Sequence, residues 1–261
     1  MRETVERLAC DAGELALDHF GRLGELGVEA KGPLDLVTAA DREVERFLTD
    51  GLARLFPDDG IFGEEGAARP GRSGRTWVLD PIDGTFNFVR GADCWAVSIG
   101  LHAAGAPAFG VLRAPVRGWT LSGGLGLPPL KDGRALPVPA AFAPDRAVAG
   151  VGFHTTIPIP TRLAVLEALM RDAGMTFRHN GSAAMSLAEV AFGESDGYVG
   201  LGEASWDVMG ILPALAALGL GTTLDWTRIG LADKLDFACG SPAFLAAVAP
   251  VMPHLRPHLA A

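Results

Sequence analysis

Apolar side chains recur at three- and four-residue steps through Val5, Leu8, Ala9, Ala12, Leu15, Ala16 and Phe20, which predicts an amphipathic helix over residues 5–20. KGPLDLVTAAD, residues 31–41, breaks that period at Gly-Pro and is predicted as a loop. A second helix is predicted where Val44, Phe47, Leu48, Leu52 and Leu55 share one face. FPDDGIFGEEG then gives a turn, a short apolar stretch and an acidic pair, and RTWVLD, residues 75–80, is rich in strand formers. Residues 95–111 alternate as two strands around a Gly/Pro turn, a predicted hairpin. Further short strands follow, with turns expected at Gly123-Gly124 and Asp132-Gly133.

The Pro/Ala-rich LPVPAAFAP, residues 136–144, is the natural place for a boundary, dividing the chain into halves 1–137 and 142–261. Beyond it strand and helix patterns alternate: RAVAGVGF, a helix over 161–173, MTFRH, a helix over 182–192, DGYVGL, and a helix from about 206. That alternation predicts a layered arrangement of helices and sheets. Pro213 falls inside the last helical pattern, so a kink or a late helix start is expected there.

Composition narrows the class. The 261 residues are 49% hydrophobic and 20% charged, enough for a sizeable core in one large or two closely packed units. A net charge of -9 argues against general binding to nucleic acid or anionic membranes. A chain this acidic that handled phosphates would need metal ions, local cations or backbone N–H groups to offset the repulsion. The three cysteines, Cys10, Cys94 and Cys239, have no CxxC spacing, which disfavours a disulfide framework or a thiolate zinc site. The first twenty residues carry acids every few positions, unlike a signal peptide, and no apolar run approaches a membrane span. A soluble, cytoplasmic protein is expected. The tryptophans are read as core side chains, not as a base-stacking platform.

The chemistry concentrates in WVLDPIDGTFNFV, residues 77–89, where Asp80 and Asp83 flank Pro81-Ile82. One reading is a proline-stiffened turn with two solvated acids. The other is a hard-cation site: two fixed carboxylates and the Ile82 carbonyl suit Mg²⁺. Gly84-Thr85 would then open a helix whose free N–H groups attract an anion. Asp41, Glu64-Glu65 and Asp207 are the other conspicuous acids. Taken singly, the glutamates read as a solvated pair, Asp207 as an acid at a helix start and Lys31 as a surface charge.

The joint order of FGEEG, WVLDPIDGTFNFVRG, WAVSIGL, GSAAMSLAEVAFGESDGYV and SWDV resembles the inositol monophosphatase family of Mg²⁺-dependent, lithium-sensitive phosphatases. The likeness extends from KGPLDLVTAAD to ACGSPAFLAAV. It implies an α+β fold, a layered αβαβα sandwich, and two or three Mg²⁺ per site. Glu64, Asp80 and the Ile82 carbonyl would hold one metal, and Asp80, Asp83 and Asp207 a second. Glu64 and Thr85 would activate water, with Asp41 bonded to Thr85. Gly84 and Thr85 would hold the phosphate, with Gly181, Ser182 and Ala183 as the substrate loop. Lys31 and Asp35 would lie on a mobile loop, and Glu65 would assist with a metal-bound water.

The resemblance further implies a phosphomonoesterase acting on a small polyol phosphate, nominally inositol 1-phosphate, and a homodimer. Histidinol phosphate is the main rival substrate. Fructose 1,6-bisphosphate, 3′-phosphonucleotides and an inactive metal-binding regulator are weaker readings. One departure bears on selectivity. The hydroxyl-binding glutamate usual seven residues before the late aspartate is replaced by Gly200, and Glu203, three positions on, cannot be assumed to face the same pocket.

Overall fold

A computed structural model describes residues 1–25, 28–32 and 35–255. The chain runs α1 (Arg2–Phe20), β1 (Val28–Gly32), β2 (Asp35–Thr38), α2 (Ala39–Leu55), β3 (Gly60–Gly63), β4 (Ala68–Arg69), β5 (Arg75–Asp83), α3 (Thr85–Val89), β6 (Ala96–Ala103), β7 (Ala106–Ala114), β8 (Trp119–Gly124), β9 (Leu127–Lys131) and β10 (Arg134–Ala135). It continues with β11 (Val148–Phe153), α4 (Ile159–Glu167), β12 (Thr176–Arg178), α5 (Ala183–Phe192), β13 (Gly197–Glu203), α6 (Ser205–Met209), α7 (Leu212–Ala217), β14 (Gly221–Thr222), β15 (Leu235–Gly240) and α8 (Pro242–Ala247).

An eight-stranded sheet has the order β10-β9-β8-β7-β6-β5-β3-β4, and a five-stranded sheet the order β12-β11-β13-β15-β14. Strand alternation sends successive side chains to opposite faces, so each sheet feeds two apolar layers. Phe109 and Val111 of β7 join Val5, Leu8, Val44 and Leu48 of α1 and α2 in an outer core. Leu112 and Ala114 of the same strand join a middle core with α5, α6, α7 and Tyr198, Phe237 and Cys239 of the second sheet. Val199 and Leu201 face a third core with Val165 of α4 and Phe244 of α8. The layers are therefore helix, sheet, helix, sheet, helix: an α+β fold of the αβαβα kind. No described helix is long and apolar enough to cross a membrane. The three cysteines are unbonded thiols.

Several elements depart from the sequence expectation. The segment KGPLDLVTAAD holds the end of β1, all of β2 and the start of α2, so an antiparallel hairpin stands where a loop is expected. The turn expected at Gly123-Gly124 lies two residues later, at Leu125-Gly126, because both glycines belong to β8. Their neighbours explain it. Gly100, Gly110 and Gly123 stand side by side across β6, β7 and β8. A Cβ on Gly110 would lie 2.2 Å from the Gly210 carbonyl oxygen, and one on Gly123 would lie 2.7 Å from Ala214 Cα. The row is a bare track on which the α6–α7 backbone rests. At Pro213 the expectation of a late helix start is met: the proline sits in the first turn of α7, where its missing N–H is not needed, and the helical pattern splits into two short helices.

Candidate active site

Asp80 and Asp83 close β5. At a spacing of three, a regular strand would point them to opposite faces. The pairing with β6 changes this: Asp80 sits opposite Ser98 and Asp83 opposite Ala96, so β5 carries one extra residue. This bulge, at the proline that cannot donate to the ladder, turns Ile82 into the outer core and both aspartates toward the middle layer. Asp80 accepts the Ile82 N–H at 3.0 Å, which fixes the turn.

Asp207 arrives from the other half of the chain. It is the third residue of α6 and accepts the Ala204 N–H at 2.6 Å, so it does serve as a helix-start acid. The Ser98 hydroxyl donates to the Trp206 carbonyl at 3.1 Å, which ties α6 to β6. As a result, carboxylate oxygens of Asp80, Asp83 and Asp207 all lie within 4.8 Å of one another. Glu64, just beyond β3, bonds to the Asp80 carboxyl and completes an acidic knot.

Burial and mutual repulsion disfavour charge here. Burial first, then the neighbouring Glu64, Asp83 and Asp207, pushes Asp80 well above the usual carboxylate range. Burial and Asp207 push Asp83 up to about 7, despite the hydrogen bonds it accepts. Asp207 is raised as well, again chiefly by burial. Oxygen donors crowded at this cost are the donor set of a hard divalent cation, which would relieve the repulsion. The residues fit a metal site.

Thr85 opens α3 after Gly84, whose φ of 96° is the left-handed conformation that favours glycine. Its hydroxyl is shared between Asp41 at 3.2 Å and the Ile82 carbonyl at 3.1 Å. Asp41 is buried at the third position of α2, where it also accepts the Thr38 N–H at 2.8 Å and hydroxyl at 2.6 Å. Ser182 caps α5. Its hydroxyl donates to Asp83, which also accepts the Ala184 N–H at 2.9 Å. The substrate-loop candidates are thereby joined directly to the aspartate pair.

A cavity of about 530 Å³ lies beside this cluster, and its lining includes Glu64, Asp83, Asp207, Gly181, Ser182 and Ala183. Glu65 differs in setting: its N–H donates to Glu45 at 2.7 Å, and its charge acts on Arg42. Lys31 and Asp35 fall on the β1–β2 hairpin, and their side chains lie outside what the structure describes.

A family model described as the inositol monophosphatase family matches residues 1–250. The chain belongs to the inositol monophosphatase family. Members are metal-dependent phosphoric monoester hydrolases, so the chain is of a phosphatase family. An inositol-1-monophosphatase of Mycobacterium bovis is 35% identical over 250 residues, covering 88% of this chain and 86% of that one. The Nus factor SuhB of Pseudomonas aeruginosa is 32% identical across 97% of this chain and 96% of its own. A histidinol-phosphatase of Chlorobaculum parvum is 45% identical over 111 residues, 42% of each chain. Among solved structures, the extragenic suppressor protein suhB of Bartonella henselae superposes with a TM-score of 0.86 at 26% identity, covering 96% of this chain and 97% of that one. The IMPase of Thermotoga maritima gives 0.82 at 27% identity, covering 97% and 96%.

Sequence reasoning within the family motifs assigned no role to Arg162, His179, Tyr198 and Lys234 on the cavity wall, and it left open where Glu203 faces, which the structure places on the same wall. Arg162 donates to the carbonyls of Ile157, Thr155 and His154 and so holds the loop that forms one side. Glu203 had a readable signal, the neighbouring Gly202. The placement of His179 and Lys234 on one cavity wall had none, because it depends on the strand order of the five-stranded sheet, in which they flank β12 and β15.

Proposed function

We propose that this chain is a Mg²⁺-dependent phosphomonoesterase that hydrolyses a small polyol phosphate, nominally inositol 1-phosphate, to the free alcohol and inorganic phosphate. The observation that carries the reading is the convergence of Asp80, Asp83 and Asp207 within 4.8 Å, with Asp83 and Asp207 at the wall of a cavity that also presents the Gly181–Ala183 loop. The Thr85–Asp41 pair beside β5 supports it.

In this reading Glu64, Asp80, Asp83, Asp207 and the Ile82 carbonyl hold two or three Mg²⁺. When bound, the ions neutralise phosphate charge, acidify a water and stabilise the leaving alkoxide of an in-line displacement. The backbone N–H groups of Gly84 and Thr85 hold the phosphate. Thr85, oriented by Asp41, and Glu64 position the attacking water, whose proton passes to the Glu64 carboxylate. Asp207 orients a water that returns a proton to the leaving oxygen, so no phosphorylated side chain is formed. Lys31 and Asp35 are assigned to a loop closing over the site, with Glu65 accessory to it. A cytoplasmic homodimer sensitive to lithium completes the proposal.

Histidinol phosphate is the second reading, favoured by the 45% identity to the Chlorobaculum parvum histidinol-phosphatase over 111 residues. Phosphate release from inositol 1-phosphate, histidinol phosphate, fructose 1,6-bisphosphate and a 3′-phosphonucleotide, with Mg²⁺ present, tests both. Release chiefly from inositol 1-phosphate is expected. Turnover mainly of histidinol phosphate would replace the substrate and keep the mechanism, and no release from any ester would refute the enzyme.

A further inference from the structure

Glu203 occupies a place that its position in the sequence does not suggest. Along β13, Val199 and Leu201 face the third core, and strict alternation would send Glu203 the same way. Against β15, however, Leu201 sits opposite Asp236 and Glu203 opposite Leu235, which makes Gly202 an extra residue. Gly202 has φ 78°, and its N–H donates to the Asp236 carboxylate at 2.8 Å. The bulge turns Glu203 back to the face of Tyr198 and Gly200, into the wall of the 530 Å³ cavity.

Room for it comes from missing side chains. A Cβ on Gly152 would lie 1.9 Å from the Tyr198 hydroxyl and 2.1 Å from Glu203 Oε1. One on Gly200 would lie 2.8 Å from the Tyr198 ring and 2.9 Å from Glu203 Cγ. Tyr198, fully buried, donates its hydroxyl to Glu203 Oε1 at 2.5 Å, and the Glu203 carboxyl also meets that of Asp207. A carboxylate offers about four acceptor positions; the tyrosine fills one and the contact with Asp207 engages a second. An apolar side chain would fill the same room without the cost of burying a carboxyl beside other acids. A polar group placed there at such cost is matched to a hydrogen-bond donor that enters the cavity.

We propose that Glu203, oriented by Tyr198, selects the substrate by accepting a hydrogen bond from a hydroxyl or ammonium group that the alcohol portion carries near its phosphate ester. The inference rests on the phosphatase reading above and adds the residue that chooses the alcohol. Glu203 stands in the pocket from which the Gly200 position has withdrawn its side chain, so recognition is relocated, not lost.

The test compares kcat/KM, with Mg²⁺, for inositol 1-phosphate (hydroxyl donors), histidinol phosphate (an ammonium donor) and phenyl phosphate (no donor). It uses the full-length wild type and the variants Glu203→Ala, Glu203→Gln and Tyr198→Phe. In Glu203→Ala, the preference for the better donor-bearing ester over phenyl phosphate should fall by about 30-fold, mainly through KM. Tyr198→Phe should lower it by about 3- to 10-fold. Glu203→Gln separates the donors. The amide oxygen still accepts from a hydroxyl, so a hydroxyl-selecting enzyme keeps most of its preference, whereas an ammonium-selecting one falls as far as Glu203→Ala. Tyr198→Phe keeps the test readable if the alanine variant does not fold, because it removes the bond that orients Glu203 and should lower the preference whichever donor is selected. An unchanged ratio in both Glu203 variants, or an equal loss on all three esters, overturns the inference while leaving the phosphatase reading intact. No release by the wild type from any ester overturns both.

Discussion

Replacing Asp83 by Asn separates the two roles that its position forces on it. In the metal-free protein the carboxyl is buried at 6% exposure, beside Asp207, and titrates near 7 instead of the usual 3.8. An acid whose folded pKa is raised is bound to its proton longer in the folded than in the unfolded chain. The resulting penalty is absent below about pH 4, grows as pH rises through the folded value of about 7, and is complete at pH 8. At about 1.36 kcal/mol per unit, the displacement from 3.8 to about 7 corresponds to up to about 4 kcal/mol. Asparagine removes the charge, and its amide oxygen can still accept from the Ser182 hydroxyl and the Ala184 N–H. At pH 8 with chelator, the variant should therefore melt higher than wild type, by about 5–10 °C at roughly 2 °C per kcal/mol for a chain of this size. The gap should narrow toward pH 5. With Mg²⁺ the order should reverse, because wild type gains stability from the ion and the variant gains little, while its turnover falls at least ~100-fold. Thermal melts at both pH values, with chelator and with Mg²⁺, check the reasoning. A variant that is less stable than wild type at pH 8 in chelator, or equally stabilised by Mg²⁺, would refute it.

Other outcomes follow from the same geometry. Thr85→Ala removes the hydroxyl shared by Asp41 and the Ile82 carbonyl, and should lower kcat about 100-fold, with Thr85→Ser recovering most of it in a phosphate-release assay. Chelation should abolish activity, and added Mg²⁺ should restore it without refolding; activity that survives chelation would exclude the metal assignment. Gly110→Ala would put a Cβ 2.2 Å from the Gly210 carbonyl oxygen and should destabilise the protein by about 3 kcal/mol in urea melts, since backbone on both sides must shift. Gly202→Ala forces alanine into a φ of 78° with its Cβ 2.8 Å from His154 Cβ, and should cost about 1–3 kcal/mol in the same melts.

Local chemistry made much of this chain legible. The three- and four-residue period of Val5 to Phe20 became α1, and the face of Val44, Leu48 and Leu52 became the buried side of α2. Pro213 marked the split between α6 and α7, since its ring and missing N–H act on the nearest turn whatever lies around it. The motif order gave the family, which the match over residues 1–250 establishes. Misread segments were those whose local signal had another cause. Gly123-Gly124 resembled a turn, yet the bare surface at Gly123 serves α7. Gly32 and Pro33 suggested a loop, but residues on both sides of them pair as β1 and β2.

What the sequence determined by itself was the inventory: which helices form, which residues can ligate a metal, and that Asp80 and Asp83 stand on either side of a stiff Pro-Ile step. Facing was decided only by tertiary pairing. A strand's side chains alternate, so one inserted residue reverses every direction after it, and the insertion is defined by the partner strand. The bulge against β6 places Asp80 and Asp83 on one side. The bulge against β15 carries Glu203 into the cavity. The glycine track under α6–α7 seats the helix that brings Asp207 from 124 residues beyond Asp83 to the same knot of carboxylates. Sequence supplied the groups, and the register of strands far apart in the chain decided which of them meet.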